Sequence, residues 1–256
     1  MSYQFWNKKN GLTVLMYHKT IDTGHTDLLT VTRHQLEEQF QFFLREGYNC
    51  VSLKEIIDHI STGSPLKKKS LLLTFDDGYR NNLTVLYPLL QQYNLKAVIF
   101  LVPGYIEKAE AKKGLEYLDI KDIHVMDPGV VEFGLHTYDH KNYNSLELEA
   151  IEEDIAKTKN WFEKSKINYS PAWAYTYGDF PKNNKTKLAG LFNIFEKHGI
   201  QIAFNIGNRI NSLPLKKKFV IQRIDVRGTE SLSQFVSKVK NGKELVGFIK
   251  DIIGKP

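Results

Sequence analysis

The stretch LLLTFDDGYR, Leu71 to Arg80, runs an apolar segment into two adjacent carboxylates, a glycine and a tyrosine. Neighbouring carboxylates repel, and a buried charge is costly unless something pairs with it. Two readings explain Asp76 and Asp77 at the end of an apolar strand. Asp-Gly is a common turn dipeptide. Alternatively, one acid binds a cation while its neighbour moves protons. The stretch alone does not choose between them.

Working outward, apolar runs and helical patterns alternate along the chain. Strands are expected at Leu12–Tyr17, Tyr48–Val51, Leu71–Phe75, Lys96–Val102, Val130–Gly134, Pro171–Tyr175, Ile200–Asn205 and Phe219–Arg223. Thr32 with Gln35, and Ser52 with Glu55, form capping boxes that open helices running to Glu46 and Ile60. Gly47 ends the first of these. Further helices are expected at Asn82–Tyr93, Ser145–Lys164 and Lys185–Lys197. A last one runs from Ser231 towards Ile253, interrupted around Gly242. The alternation predicts an α/β fold, a deformed (β/α) barrel of about seven to eight mostly parallel strands. A doubly wound open sheet is the rival. With no repeat, low-complexity tract or linker, residues 1–256 read as a single domain. Its core spans about 12–226, and a helical tail covers 229–256.

The 256 residues suffice for such a barrel. Cys50 is the single cysteine, so no internal disulfide supports the fold. No apolar run is long enough to span a bilayer, and MSYQFWNKKNGLTVLMYH carries no secretion signal. The expected location is therefore cytoplasmic, or extracytoplasmic if a leader has been removed. The formal charge of +6 is modest, and much of it lies in Lys67–Lys69 and Lys216–Lys218. An anionic partner is one reading; solvated loop charge is the simpler one, and no nucleic-acid signature accompanies either run.

Active sites of parallel barrels lie where strands end, so the residues just beyond each strand are informative. His18 comes after the first, Asp76 and Asp77 after the third, His136 and His140 after the fifth, Thr176–Gly178 after the sixth, and Asp225 after the last. Two imidazoles and a carboxylate are a common set of ligands for zinc or another divalent ion, leaving positions open for water and substrate. The four-residue step from His136 to His140 suits one helical turn or a tight loop.

TFDDGY (Thr74–Tyr79) and HTYDH (His136–His140) resemble the first two motifs of the polysaccharide deacetylases, the NodB-homology or family-four carbohydrate esterases. The resemblance implies that Asp76 is the general base and that Asp77, His136 and His140 hold a divalent metal. Zinc comes first, with cobalt, nickel or iron as alternatives. The family's third motif, Arg-x-Pro-Tyr, corresponds to Ala174–Tyr177. Tyr177 matches the tyrosine whose N–H helps form the oxyanion hole, while Ala174 and Thr176 replace arginine and proline. Arg223 or Arg227 is then expected to partner Asp76 in the arginine's stead, with Asp225 orienting a neighbour.

No histidine comes after His198, so the family's usual C-terminal Leu-x-His motif is missing. Leu15–His18 matches Leu-x-Tyr-His, the N-terminal version found in the branch that deacetylates poly-β-1,6-N-acetylglucosamine. His18 is then the acid that protonates the leaving amine. Trp173, Tyr175, Tyr177, Tyr138 and Tyr143 would offer faces to sugar rings, although core packing explains some of them equally well; Asp225 and Arg223 are further substrate-side candidates. His124 and Asp127 are accessory candidates, with a plain loop role the simpler reading, and His25, His34, His59 and His198 read as solvated. The implied activity is hydrolysis of N-acetyl groups on an N-acetylated polysaccharide or oligosaccharide. A small lipid- or nucleotide-linked acetamido sugar as substrate, or a non-catalytic sugar-binding relative, are the alternatives.

Overall fold

The computed structural model describes residues 11–111 and 116–242. The chain opens with β1 (Gly11–Tyr17), then a small parallel pair, β2 (Lys19–Ile21) and β3 (Thr30–Thr32). Next come α1 (Arg33–Glu46), β4 (Asn49–Cys50), α2 (Leu53–Thr62) and β5 (Ser70–Asp77). A π-helical turn at Asn82–Leu86 leads into α3 (Tyr87–Tyr93), then β6 (Ala97–Leu101), α4 (Pro103–Ala111), α5 (Ile120–His124) and β7 (Val131–Leu135). The second half holds α6 (Leu148–Lys164), β8 (Ala172–Ala174), a 3-10 turn at Thr176–Gly178, α7 (Lys185–Lys197) and β9 (Ile202–Ile206). β10 (Asn211–Ser212), β11 (Ile221–Asp225) and α8 (Leu232–Asn241) complete it.

β1 pairs in parallel with both β5 and β11, which closes a ring of seven parallel strands: β1, β5, β6, β7, β8, β9 and β11. Closure rules out the open doubly wound sheet. The expected strand at Tyr48–Val51 shrinks to β4, which pairs with β5 outside the ring. Six register pairs between β1 and β5 already occupy the place an eighth ring strand would need. Both capping boxes form, and Gly47 ends α1 with φ at 69°. The region expected as one helix at Asn82–Tyr93 splits into the π-helical turn and α3. α8 stops at Gly242, with φ at 73°; the expected continuation towards Ile253 and the rest of the tail lie outside the described residues.

The period-2 alternation of strands sorts side chains into two buried clusters. Leu12, Val14, Leu72, Val98, Phe100, Ala172, Ala174, Ile202, Phe204 and Ile221 fill the barrel interior. Leu15, Tyr17, Leu71, Leu73, Phe75 and Leu135 pack outward against apolar faces of the helices. Bulky and small residues balance inside: a Cβ at Gly134 would lie 2.4 Å from the Phe100 ring. Val51, just before α2, and Leu53 and Ile56 in its first turn join the interior cluster. Glu132 of β7 anchors this plug by accepting a 2.9 Å hydrogen bond from the Leu53 N–H. The amino-end mouth of the barrel is thereby stoppered, leaving the carboxyl-end mouth for chemistry.

Candidate metal centre and catalytic mouth

Residue parity explains the mouth. Thr74 and Asp76 continue the inward row begun by Leu72, and Arg223 continues the one begun by Ile221. Asp76 and Arg223 are both buried, and Arg223 Nη1 donates to Asp76 Oδ1 across 2.7 Å. The guanidinium also sits over the Phe100 ring at 5.7 Å and reaches Thr74 Oγ1 at 3.4 Å. Burial by itself raises the pKa of Asp76, but the charges of Arg223 and His136 outweigh it and hold the carboxyl below its usual range.

Asp77 leaves the strand with φ at 75°, with Gly78 next at 74°. A left-handed Asp at this point is uncommon and strained. Its Oδ1 lies 3.1 Å from His140 Nε2 and 3.5 Å from His136 Nε2. The loop from His136 to His140 is a tight turn rather than a helical one, with Thr137 and His140 both at positive φ, 54° and 57°. Thr137 and Thr176 link their hydroxyls at 3.2 Å. Asp154 of α6 ties the loop from behind, accepting from the Tyr138 N–H at 3.1 Å and from the Tyr143 hydroxyl at 2.8 Å. Asp139 turns away towards Lys157, 3.9 Å off.

One ligand atom from each of Asp77, His136 and His140 falls within 4.8 Å of the other two. Two observations test whether this set fits a cation. Asp77 Oδ1 is buried without a hydrogen bond although two imidazole nitrogens stand close to it. His136 Nδ1 lies 2.7 Å from the Ala174 carbonyl, so it donates there and turns a bare Nε2 towards Asp77. Burial opposes ionisation of Asp77, yet the two imidazoles overcome it and lower its pKa strongly. A carboxylate oxygen and two imidazole nitrogens, all buried or nearly so, suit a borderline divalent ion.

His18 comes directly after β1, partly buried, with Nδ1 enclosed and lacking a partner. It is close enough to contribute to the lowering of both Asp76 and Asp77. Tyr177 has φ at 59°, is 66% exposed, and sets its ring against His140 at 4.8 Å. Asp225 pairs with Arg227 at 2.7 Å, and its N–H donates to Asn208 Oδ1.

Several expectations are corrected. Trp173 and Tyr175 are fully buried on the outer face of β8 and just beyond it, where Trp173 stacks on Tyr143 and Tyr175 on Phe180. They offer no face to a sugar, and neither do the buried Tyr138 and Tyr143. Arg223 is likewise buried, with Nη1 on Asp76 and with Nε and Nη2 enclosed and lacking a hydrogen-bond partner. His124 and Asp127 precede β7 and so lie at the opposite end of the barrel from the mouth. His59 is buried rather than solvated, with Nδ1 near the Ser64 carbonyl and Nε2 accepting from the Leu215 N–H. The sequence reading overlooked Tyr79, Tyr105 and Tyr117, whose rings line the mouth beside His140. They come from a turn, a helix start and a loop, which share no periodicity.

A closed parallel barrel with a buried ion pair and an Asp–His–His cluster at its carboxyl end defines a (β/α)-barrel protein with a candidate metal site. Residues 63–193, just over half of the chain, match the family model described as polysaccharide deacetylase. The chain belongs to the polysaccharide deacetylase family. It is 28% identical over 191 residues to the Bacillus subtilis (strain 168) protein YxkH, provisionally named a polysaccharide deacetylase, covering 75% of this chain but only 63% of YxkH. A Staphylococcus aureus (strain MSSA476) poly-beta-1,6-N-acetyl-D-glucosamine N-deacetylase is 27% identical over 207 residues, 76% of this chain and 67% of its own length. The solved structure of the Streptococcus pyogenes deacetylase PplD in complex with acetate superposes with a TM-score of 0.75 at 20% identity. It covers 90% of this chain and 99% of its own, which establishes a common fold. Among the described residues, no helix is long and apolar enough to cross a membrane.

Proposed function

We propose that the chain is a metal-dependent hydrolase that removes N-acetyl groups from N-acetylated amino sugars within a polysaccharide, of the poly-N-acetylglucosamine or chitin type, releasing acetate. The observation that carries this reading is the buried, hydrogen-bond-less Asp77 Oδ1 facing His136 and His140 beside the Asp76–Arg223 pair. Family membership and the named Staphylococcus aureus relative support the substrate class.

Asp77, His136 and His140 would hold the cation, zinc in the first instance. A divalent ion there supplies Lewis acidity, lowering the pKa of a water molecule and polarising the acetyl carbonyl. Asp76, held ionised by Arg223, accepts a proton as the water oxygen bonds to the carbonyl carbon. The Tyr177 N–H donates to the oxygen that gains charge. His18 gives its proton to the nitrogen as the C–N bond breaks, so acetate departs and a free amine remains.

The test is acetate release from acetylated chitooligosaccharides and from poly-β-1,6-N-acetylglucosamine, after chelation and after return of zinc. Zinc-dependent release supports the reading. Release confined to a nucleotide- or lipid-linked acetamido sugar would move the substrate to that smaller class, and no release from any of these overturns the activity.

A further inference from the structure

The string Pro-Leu-Lys-Lys-Lys occurs twice in the chain, at residues 65–69 and 214–218. It is too short to be a repeat of the fold, yet both copies hold equivalent places in it. The first leads into β5 at Ser70, and the second stops just before β11 opens at Ile221. Both strands belong to the closed parallel ring. The two copies therefore lie at its amino end, opposite the Asp–His–His cluster.

His59 of α2 ties the copies together. Its Nε2 accepts from the Leu215 N–H at 3.2 Å, and its Nδ1 lies 2.7 Å from the Ser64 carbonyl. One imidazole thus spans from the residue before the first copy to the leucine of the second. The leucines of both copies, Leu66 and Leu215, pack against the same interior cluster that stoppers the barrel. The backbones are held as well. The Lys67 and Lys68 carbonyls accept from the Ser70 hydroxyl at 2.7 Å and the Asn49 amide at 2.8 Å. The Lys217 and Lys218 carbonyls accept from the Val220 and Ala203 N–H groups at 3.3 and 2.8 Å.

The ammonium groups divide into two sets. Lys69 lies 3.9 Å from Glu46 and over the Tyr48 ring, and Lys218 lies 3.0 Å from Glu196 and over the Phe219 ring. Lys67, Lys68, Lys216 and Lys217 are exposed, and among the described residues none of them makes an ion pair. Like charges gathered on one face repel unless a counter-charge arrives. Solvated loop charge accounts for neither the matching strings nor their shared anchor.

We propose that this base docks on a bilayer surface rich in anionic phospholipid, so that the barrel stands upright with its mouth facing away from the membrane. The proposal goes beyond the deacetylase reading and does not depend on it. A plane of headgroup phosphates needs no groove, only cations presented together, and each lysine near such a surface strengthens binding about fivefold. The anchoring leucines point into the protein, so attachment is electrostatic and peripheral. A single-stranded nucleic acid fits less well, because it binds by stacking on aromatic rings. The rings at this end, Tyr48 and Phe219, are covered by Lys69 and Lys218. Arginine, the side chain suited to bidentate phosphate recognition, is absent from both copies.

The experiment sediments the full chain with vesicles of phosphatidylcholine alone or with one-third phosphatidylglycerol, at about 50 mM and about 500 mM salt. Wild type is compared with Lys67→Gln/Lys68→Gln, with Lys216→Gln/Lys217→Gln and with the quadruple variant. Lys182→Gln/Lys185→Gln removes the same charge as either pair from the mouth end, between β8 and α7, so place and net charge are read apart. Thermal melts check folding, and the two pairs carry the comparison if the quadruple variant does not fold. We expect wild type to bind the anionic vesicles alone, and at low salt alone. Each base pair of substitutions should weaken binding about 10- to 30-fold, the quadruple Lys→Arg variant should keep it, and the mouth-end pair should leave it unchanged. Absence of wild-type binding to anionic vesicles at low salt overturns the proposal. So does undiminished binding by the base variants, or an equal loss in the mouth-end pair. Long-chain polyphosphate and duplex DNA form the remaining arms: lysine-dependent binding to either, without binding to vesicles, overturns the bilayer and assigns the base to a soluble polyanion.

Discussion

Arg223 Nη1 donates to Asp76 Oδ1 across 2.7 Å inside the barrel, joining residues 147 positions apart in the chain. Both side chains are essentially withdrawn from solvent, at 0% and 3% exposure. Neither charge would be tolerated at that depth without the other, so the proposed base and its cation stand or fall together.

Replacing Arg223 by Met should therefore cost about 3–5 kcal/mol of stability at neutral pH by leaving Asp76 buried and unpaired. The sign with pH is definite. In the wild type the Asp76 pKa is lowered, so its pairing stabilises the fold above the ordinary carboxylate pKa and is lost as pH falls through the lowered value. In Arg223→Met burial dominates and raises that pKa, so the stability deficit should shrink on mild acidification. The acid limb of the pH–rate profile should move upward. Melts and rates across pH 4–8 read both, and an unmoved acid limb would separate Asp76 from the proton transfer.

The division of labour between the adjacent acids is separable by metal content. Asp77→Ala and His136→Ala should lose bound zinc together with activity, since each removes one donor of a three-residue set. Asp76→Asn should retain zinc while losing about 10²–10⁴-fold in rate, the usual contribution of a positioned acid–base group. Plasma emission analysis of dialysed protein, paired with acetate release, distinguishes the two; loss of zinc from Asp76→Asn would refute the assignment.

His18 should matter in proportion to how badly the leaving group needs a proton. His18→Ala is expected to depress hydrolysis of an acetamido sugar by about 10²-fold or more. Hydrolysis of an aryl acetate, whose leaving group departs unprotonated, should be much less affected, and zinc content unchanged. Equal losses on amide and ester would assign His18 a structural role.

Asp154 lies behind the His136–His140 loop, where its carboxylate accepts from the Tyr138 N–H and the Tyr143 hydroxyl. Asp154→Ala strands both donors and should cost about 1–3 kcal/mol. Because the loop it braces presents two of the three ligands, zinc affinity should also fall about 10-fold, as is common when a supporting hydrogen bond is lost. Competition against a chelating dye measures this without reference to turnover. Asp154→Asn, which keeps an acceptor for the Tyr138 N–H, should recover part of the affinity.

Strand ends made most of this site legible in the sequence. LLLTFDDGYR and HTYDH each deliver their polar residues where a buried strand stops, and closure of a parallel ring brings all such ends to one rim. Orientation was harder to read. Trp173, Tyr175 and Tyr177 alternate in sequence and look equivalent, yet the first two share the outer face of the β8 segment and are buried by helices. Tyr177 escapes only because its positive φ turns the chain, a conformation that no residue type at that position announces. The choice between Arg223 and Arg227 depended on parity along β11, which shifts two residues from the expected strand at Phe219–Arg223. Tyr105 and Tyr117 were invisible for a different reason: a loop contact, not a repeat, brings them together.

Ala174 and Arg223 sit on different strands but look into the same enclosed volume. The small side chain on one wall leaves room for the long one reaching in from another. A guanidinium can thus be supplied from either stave of such a cask without redesigning the acid it serves. In searches for distant members of this fold, the meaningful signature is a positive group at that depth, whichever segment of the chain delivers it.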